Sequence, residues 1–207
     1  QKGRLNQAGA DLWLPTRDSD GPVSMVMNLP PVGTAAAALK NTFRELGQES
    51  DPGALLDHQL NGRIRSHQES AANWLTRVGL EAPAEEIVLT NGAQHGLLMA
   101  LMAAAQPGDT VLAESLTYPP LKQMAWHFGL DLQGVEMDAE GLLPDALDAA
   151  CRKTNARVLY CMPTLQSPTG ITMPESRRRQ IALIAQKHDL TIIEDDVFGF
   201  LPVDRPP

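Results

Sequence analysis

Short apolar runs alternate with segments of helical periodicity after Pro83, and this alternation limits the possible folds more than any other feature of the chain. Runs such as Thr110–Leu112, Val158–Cys161 and Thr191–Ile193 are almost wholly apolar. Strands of this kind must be covered on both sides, as they are in parallel sheets with helices on either face. The sequence therefore predicts an α/β fold of three layers (αβα) around a mostly parallel sheet.

Turn signals and the spacing of apolar residues predict the individual elements. Thr172 and Glu175 have the spacing of a capping box at the start of a helix. A helix near 62–78 has an apolar face made of Ile64, Ala71, Trp74, Leu75 and Val78. Predicted strands cover 87–89, 110–112, 132–135, 158–161 and 191–193. Predicted helices cover a segment from Ala35 and the ranges 62–78, 93–105, 118–128, 144–152 and 174–188.

Residues 1–33 are polar and turn-rich, and prolines and glycines interrupt them, so they predict an extended arm or linker. Residues 34–207 follow as one partial domain. The sequence begins with glutamine rather than methionine, and we therefore expect a fragment or a trimmed chain.

Charge and composition argue against several classes of protein. The 207 residues carry a net charge of −8, which argues against nucleic-acid binding by this segment itself. The basic cluster Arg177–Arg179 is predicted to lie on a solvated helix face. Cys151 and Cys161 lack the spacing of metal ligands and predict no disulfide framework, which favours a reducing cytoplasm. No apolar run reaches the roughly 20 residues of a membrane span, and no signal peptide is visible.

Two loops early in the domain carry residues that suit a ligand at the carboxyl ends of strands, where ligands bind in such folds. Thr90–Gly96 places small residues at a helix start, where backbone amides attract an anion. The same small residues would also serve simple packing. In Glu114–Pro120, Tyr118 follows a strand and is suited either to stacking on a planar ligand or to the rim of the core.

Two later loops also follow strands. In Pro163–Gly170, two prolines and a glycine fix a loop that offers Ser167 as a donor, or that is simply a rigid turn. In Glu194–Asp196, three carboxylates follow an apolar strand, and they are costly to bury without partners. They could bind Mg²⁺, pair with a cationic ring nitrogen, or remain solvated.

Taken in this order, the four loops resemble those of pyridoxal-phosphate (PLP) enzymes of the class I/II aminotransferase family, which have the aspartate-aminotransferase fold (fold type I). The resemblance runs from about residue 28 to the end. It implies that the chain is a fragment of the large, PLP-binding domain. The motifs that carry it are Asn91–Gly92–Ala93–Gln94, Pro107–Gly108–Asp109, Thr117–Tyr118–Pro119, Ser167–Pro168–Thr169–Gly170 and Glu194–Asp195–Asp196.

The resemblance implies a role for each residue of the PLP cradle. Ala93 and Gln94 match the helix start that binds the cofactor phosphate through its amides. Tyr118 matches the aromatic residue that stacks on the pyridine ring, and Asp195 the aspartate that pairs with the ring nitrogen. No metal ion is implied.

Two positions of the cradle depart from the family pattern. Ser167 stands where the family normally has asparagine, and Phe198 where it has tyrosine. Both family residues usually hydrogen-bond the cofactor's phenolic oxygen, so their replacement puts efficient transamination in doubt more than cofactor binding. His58 lies near a position where the family often has a tyrosine that reaches the partner subunit's phosphate.

The cofactor-binding lysine of the family has no match in this chain. In the family it lies well beyond the aspartate, whereas all five lysines here (Lys2, Lys40, Lys122, Lys153 and Lys187) precede Asp195. The resemblance therefore implies no catalytic residue within the chain, and we expect the chain alone to be inactive in transamination.

Three further stretches, Met27–Pro31, Leu55–Gln59 and Ala72–Leu75, resemble MocR-type regulators of the GntR family. This resemblance implies the PLP-binding effector domain of a cytoplasmic transcription regulator. Its expected partners are PLP, an amino-acid-like effector, DNA through an N-terminal winged-helix domain outside this chain, and a second copy in a homodimer. We expect no membrane association. The alternatives are a class I/II aminotransferase acting on an amino acid and a 2-oxo acid, or a different α/β ligand-binding protein.

Overall fold

The computed structural model describes residues 35–48 and 62–201. Contacts between Cα atoms divide the chain into two units, residues 1–58 and 59–207. In the first unit the described residues form one helix, α1 (Ala35–Leu46), which confirms the helix predicted from Ala35. The arm predicted for residues 1–33 and the position of His58 lie outside the described residues.

The second unit alternates helices and strands as the apolar pattern predicts. Among the helices of the described ranges, none is long and apolar enough to cross a membrane. The elements are α2 (Gly62–Leu75), α3 (Ala93–Ala104), β1 (Thr110–Glu114), α4 (Pro119–His127), β2 (Asp131–Val135), β3 (Met137–Asp138), β4 (Gly141–Leu142), α5 (Pro144–Lys153), β5 (Val158–Cys161), α6 (Glu175–His188) and β6 (Thr191–Glu194).

Four of the strands form a parallel sheet in the order β2-β1-β5-β6. Leu159 pairs with Leu112 on one side and with Ile192 on the other, which fixes the register of β1, β5 and β6. Strands β3 and β4 form a separate antiparallel hairpin, which the sequence did not predict. The parallel sheet confirms the predicted α/β fold.

Helices cover both faces of this sheet. Val111 and Val158 face an apolar cluster that includes Leu97 of α3 and Leu121 of α4. The intervening strand residues face a second cluster, which α5 and α6 complete: Leu112, Leu159, Leu147, Cys151 and Ile181. Because successive side chains of a strand point to opposite faces, both clusters are needed to bury β1 and β5. The predicted three-layer arrangement is confirmed.

The predicted strand at 87–89 was wrong. Ile87 has an extended backbone, but its N–H donates to the Ala84 carbonyl and its carbonyl accepts Gln68 Nε2 at 2.7 Å. Val88 and Leu89 are exposed. A strand requires a neighbouring ladder of hydrogen bonds, and no strand of the described residues lies beside this segment.

Two details of helix ends also differ from prediction. Helix α2 ends at Leu75 and is followed by one 3₁₀ turn, and Trp74 of its apolar face is half exposed. The capping box at α6 does not form. Instead, Thr172 Oγ1 accepts a hydrogen bond from the Leu165 N–H at 3.2 Å, and Glu175 pairs with Arg179.

The arginine cluster of α6 was predicted to be solvated, and two of its three members are not. Only 11% of the Arg177 side chain is exposed, and its guanidinium donates to Asp138, Glu140 and the buried Leu142 carbonyl. Arg178 is also largely enclosed, and its guanidinium donates to carbonyls of the β5–α6 loop. These arginines hold the hairpin and the loop against α6, which a charge pattern alone does not show.

We expect Arg177→Met to lower the free energy of unfolding by about 1–2 kcal/mol, because the buried Leu142 carbonyl loses a charged donor. Arg179→Met is the matched control, since Arg179 is exposed and pairs only with Glu175 on the same helix. Urea titrations of both variants measure the difference. Equal losses in the two variants would contradict the anchoring role of Arg177.

Candidate functional site

The adjacent strands β1 and β5 lead to helices on opposite faces of the sheet. Helix α4 follows β1 and packs in the first apolar cluster, whereas α6 follows β5 and packs in the second. Such a reversal opens a crevice at the carboxyl ends of the strands, where ligands of α/β folds bind. The loops that follow β1, β5 and β6 all begin at this edge of the sheet.

The start of α3 presents free backbone amides. Gly92 precedes it with φ +87°, a conformation that favours glycine. The turn is held by a hydrogen bond from Asn91 N–H to His95 Nδ1 at 3.1 Å. Ala93 and Gln94 are exposed, and the first amides of a helix have no acceptor within the helix. The structure therefore places both predicted residues where an anion can bind.

A groove of about 410 Å³ separates the start of α3 from α4. Gln94 lines it on one side, and Pro120 of the first turn of α4 lines it on the other. The helix start thus lies beside the helix that Tyr118 immediately precedes.

Tyr118, Asp195 and Phe198 come together at the edge of the first apolar cluster. Tyr118 and Phe198 are partly buried and pack against that cluster. Burial, and to a smaller extent the negative charge of Asp195, raise the pKa of Tyr118. The Asp195 carboxylate is therefore within electrostatic reach of the phenol. Three of the predicted site residues therefore lie at the edge of the same cluster.

Asp195 is fixed by two hydrogen bonds to different oxygens. Its Oδ2 accepts the Tyr160 hydroxyl at 2.8 Å, and its Oδ1 accepts the Val197 N–H at 3.2 Å. Its own N–H donates to the Cys161 carbonyl, which joins the loop to β5. Tyr160 was not predicted as a site residue, because it stands inside an apolar strand and only the β5–β6 register brings it near Asp195.

The three consecutive carboxylates do not converge on one point. Glu194 and Asp196 line the same groove, and Glu194 Oε1 lies 3.9 Å from Arg178 Nη1. Asp195 instead contacts Tyr160, whose ring belongs to the first apolar cluster. Alternation of side chains at the strand end explains the divergence. In the part of the chain that the structure describes, no three His, Cys, Asp or Glu residues form a group that could hold a metal.

Gln166, which the sequence did not single out, organises the loop that carries Ser167. The Gln166 Nε2 donates to Glu114 Oε2 at 3.2 Å and to the Leu116 carbonyl at 2.5 Å. Its Oε1 accepts the N–H and the hydroxyl of Thr169. The residue is almost fully buried, and it ties the β5–α6 loop to the loop that leads to Tyr118.

Glu114 is the buried carboxyl beneath this contact. Its Oε2 also accepts the Met162 N–H at 3.2 Å, but its Oε1 is buried and has no partner among residues 35–48 and 62–201. Burial raises the pKa of Glu114 to about 7, although the hydrogen bonds from Gln166 and Met162 act in the opposite direction. A glutamate at the end of an otherwise apolar strand was the available signal for this residue.

Ser167 is partly buried on the loop that Gln166 anchors and is joined to Pro168 by a cis peptide bond. Among the described residues, no hydrogen bond or charge interaction links Ser167 to Tyr118 or Asp195. The structure thus groups Tyr118, Asp195 and Phe198, and it places Ser167 and the α3 start on separate loops of the same crevice.

Comparison with known proteins identifies relatives over most of this chain. Residues 34–202 match the family described as aminotransferase class I and II. An uncharacterized HTH-type transcriptional regulator of Escherichia coli, YjiR, is 32% identical over 83% of this chain. The aminotransferase swnA of Metarhizium robertsii is 37% identical over 71% of it. The chain spans only 37% and 28% of the lengths of these two proteins.

Solved structures show the same fold. The structure of an archaeal alanine:glyoxylate aminotransferase superposes with a TM-score of 0.73 at 29% identity. The superposition covers 79% of this chain and 42% of that one.

Proposed function

Because this chain belongs to the class I and II aminotransferase family, we propose that it is the PLP-binding effector part of a MocR-type transcription regulator. Its relatives include both HTH-type regulators and aminotransferases. The regulator YjiR supports the proposal, since the similarity covers 83% of this chain. In this proposal residues 1–33 are a linker and residues 34–207 a partial PLP-binding domain. DNA binding through a winged-helix domain, homodimerisation and a cytoplasmic location belong to the same proposal.

Pyridoxal phosphate is the cofactor of this family, and the crevice suits it. The exposed amides of Ala93 and Gln94 are suited to its phosphate. Tyr118 offers a partly buried aromatic ring, and Asp195 offers a carboxylate to the cationic ring nitrogen. The observation that carries the proposal is the Asp195 carboxylate, which the Tyr160 hydroxyl and the Val197 N–H hold in place.

When bound, pyridoxal phosphate supplies an electron-withdrawing ring that stabilises negative charge on an amino-acid substrate or effector. Asp195 would accept a hydrogen bond from the ring nitrogen and so favour its protonated form. Tyr118 would offer its aromatic ring for stacking on the cofactor. The amides of Ala93 and Gln94 would bind the phosphate.

The two residues that stand where the family has donors to the cofactor's phenolic oxygen favour a sensor over a fast enzyme. Phe198 lies in the apolar cluster and has no polar atom to donate, and Ser167 is shorter than asparagine. Hydrogen bonds to an ionised oxygen favour its charged form, so a weaker set tunes the bound cofactor less well for transamination. The second candidate function is a class I/II aminotransferase, which the 37% identity to swnA favours.

The carboxylate assignment is tested with the full polypeptide that the gene encodes. We expect Asp195→Ala to weaken PLP binding at least about tenfold, because a charged hydrogen bond to the ring nitrogen is lost. Equilibrium dialysis against PLP measures the dissociation constant. Asp196→Ala is the control, since Asp196 is the exposed neighbouring carboxylate. A loss in Asp196→Ala alone would show that the wrong carboxylate has been assigned.

A second experiment separates the regulator from the enzyme. We expect the full polypeptide to carry a basic helix-turn-helix segment before Gln1 and to protect a DNA site in a footprint. PLP together with amino acids is expected to change that protection. A start codon a few residues upstream of Gln1, combined with rapid transamination, would favour the aminotransferase instead.

A further inference from the structure

The side chain of Tyr160 has one polar atom, its hydroxyl oxygen, and that atom contacts Asp195 of the proposed cofactor site. The residue is fully buried on β5, and its ring belongs to the first apolar cluster. Its hydroxyl lies 2.8 Å from Asp195 Oδ2. A buried polar group needs a partner, and the carboxylate is the partner of this one.

The hydroxyl is a permanent donor in this contact. Burial, the charge of Asp195 and the hydrogen bond itself all raise the pKa of Tyr160. Glu114 and Tyr118 act in the same direction. The phenol is therefore protonated near neutral pH, and its O–H donates to the carboxylate.

The two donors to Asp195 have different origins. Val197 lies in the same turn, so its N–H moves with the loop and fixes Asp195 only relative to that loop. Tyr160 lies on a central strand that is buried on both faces. The Tyr160 hydroxyl therefore ties the carboxylate to the rigid sheet.

We propose that Tyr160 is a positioning residue that aims the Asp195 carboxylate at the ring nitrogen of the cofactor. This inference rests on the proposed function, since it assumes that Asp195 pairs with that nitrogen. Rotation about the Cβ–Cγ bond of Asp195 is limited from two directions, by Tyr160 at Oδ2 and by Val197 at Oδ1. Without the Tyr160 hydroxyl, only the loop amide limits it.

The test compares PLP with 1-deazapyridoxal 5′-phosphate, in which a C–H group replaces the ring nitrogen. The ratio of their dissociation constants for the full polypeptide reports the contact with the ring nitrogen and cancels every interaction that the two compounds share. We expect Tyr160→Phe to lower the preference for PLP about tenfold, as for loss of a hydrogen bond to a charged group. Phenylalanine keeps the ring in the apolar cluster, so the fold is retained.

Asp195→Ala separates the inference from the proposed function. If this variant keeps the preference for PLP, Asp195 does not contact the ring nitrogen and the proposed function fails. If Asp195→Ala abolishes the preference while Tyr160→Phe keeps it or increases it, only the role of Tyr160 is overturned. The ¹⁵N chemical shift of the bound ring nitrogen gives a second readout and is expected to move in both variants.

Thr154→Val is the matched control for a structural effect. The Thr154 hydroxyl also donates one partly buried hydrogen bond, to the Ala150 carbonyl at 2.9 Å, but at the opposite end of the sheet. We expect this variant to lose some stability and to keep the parent preference for PLP. A change in the preference of Thr154→Val equal to that of Tyr160→Phe would show that the ratio follows stability, and it would overturn the inference.

Discussion

Glu114→Gln is expected to make the free energy of unfolding less dependent on pH. In the parent chain we expect that free energy to fall by about 3 kcal/mol between pH 4.5 and about 7, and in the variant this fall should be absent. The cause is the enclosed position of the Glu114 carboxyl, which has one oxygen without a partner in the part of the chain that the structure describes. An ionised carboxylate that is buried here has lost its hydrating water, and the two hydrogen bonds from Gln166 and Met162 do not replace that water fully. The protonated acid is neutral and avoids that cost.

The direction of the pH effect follows from the raised pKa of Glu114. Below pH 4.5 the carboxyl is protonated in both the folded and the unfolded chain, and it causes no loss. As the pH rises, the unfolded chain releases the proton first, so the folded state loses stability until its own carboxyl ionises near pH 7. Above that pH the difference is constant.

Urea titrations at several pH values between 4 and 8 measure this effect as the difference between parent and variant, so that titrations of other groups cancel. Glutamine can accept the same two hydrogen bonds as Glu114 Oε2, which keeps the contacts with Gln166 and Met162. Glu136→Gln is the control, since Glu136 is exposed. A parent and a Glu114→Gln variant with parallel pH profiles would show that Glu114 is not held protonated.

The sequence predicted the fold well, because the fold depends on apolar periodicity that local residues carry. The strand at Val158–Cys161 was predicted with the bounds that the structure has, since every residue of it is buried. The strand at 87–89 failed for a reason that periodicity cannot show, because a strand also needs a partner beside it. Arg177 failed for the same kind of reason, since its acceptors on the hairpin lie about 35 residues or more away in the chain.

The candidate site was predicted only as far as strand ends and family resemblance reach. Tyr118 and Asp195 follow strands, and the charge of Asp195 acts on the Tyr118 phenol, but their roles toward a cofactor stay predictions. Tyr160, Glu114 and Gln166 were missed, because their contacts depend on register and on loop packing over 35 to 52 residues. These three residues form the buried support of the crevice, which sequence pattern alone does not reveal.

Gln166→Met is expected to lower the free energy of unfolding by about 3 kcal/mol, because four hydrogen bonds of the side chain are lost at about 0.5–1.5 kcal/mol each. Methionine has a similar length and fills the same buried space, so the effect reports hydrogen bonding rather than a cavity. The loss is expected to loosen both the loop of Ser167 and the loop that leads to Tyr118. PLP affinity of the full polypeptide should therefore fall as well.

Gln133→Met makes the same chemical change away from the crevice. Gln133 lies on β2 and donates one hydrogen bond to Asp131, so we expect a loss of less than about 1 kcal/mol and unchanged PLP affinity. Gln166→Met should also raise the pKa of Glu114 further, since the hydrogen bond from Gln166 lowers it. The pH-dependent loss of stability would then extend above pH 7 in Gln166→Met and disappear when Glu114→Gln is added. If the pH profile of Gln166→Met instead matched that of the parent, the side chains of Gln166 and Glu114 would not be coupled. The hydrogen bond between them would then have no effect on the ionisation of Glu114.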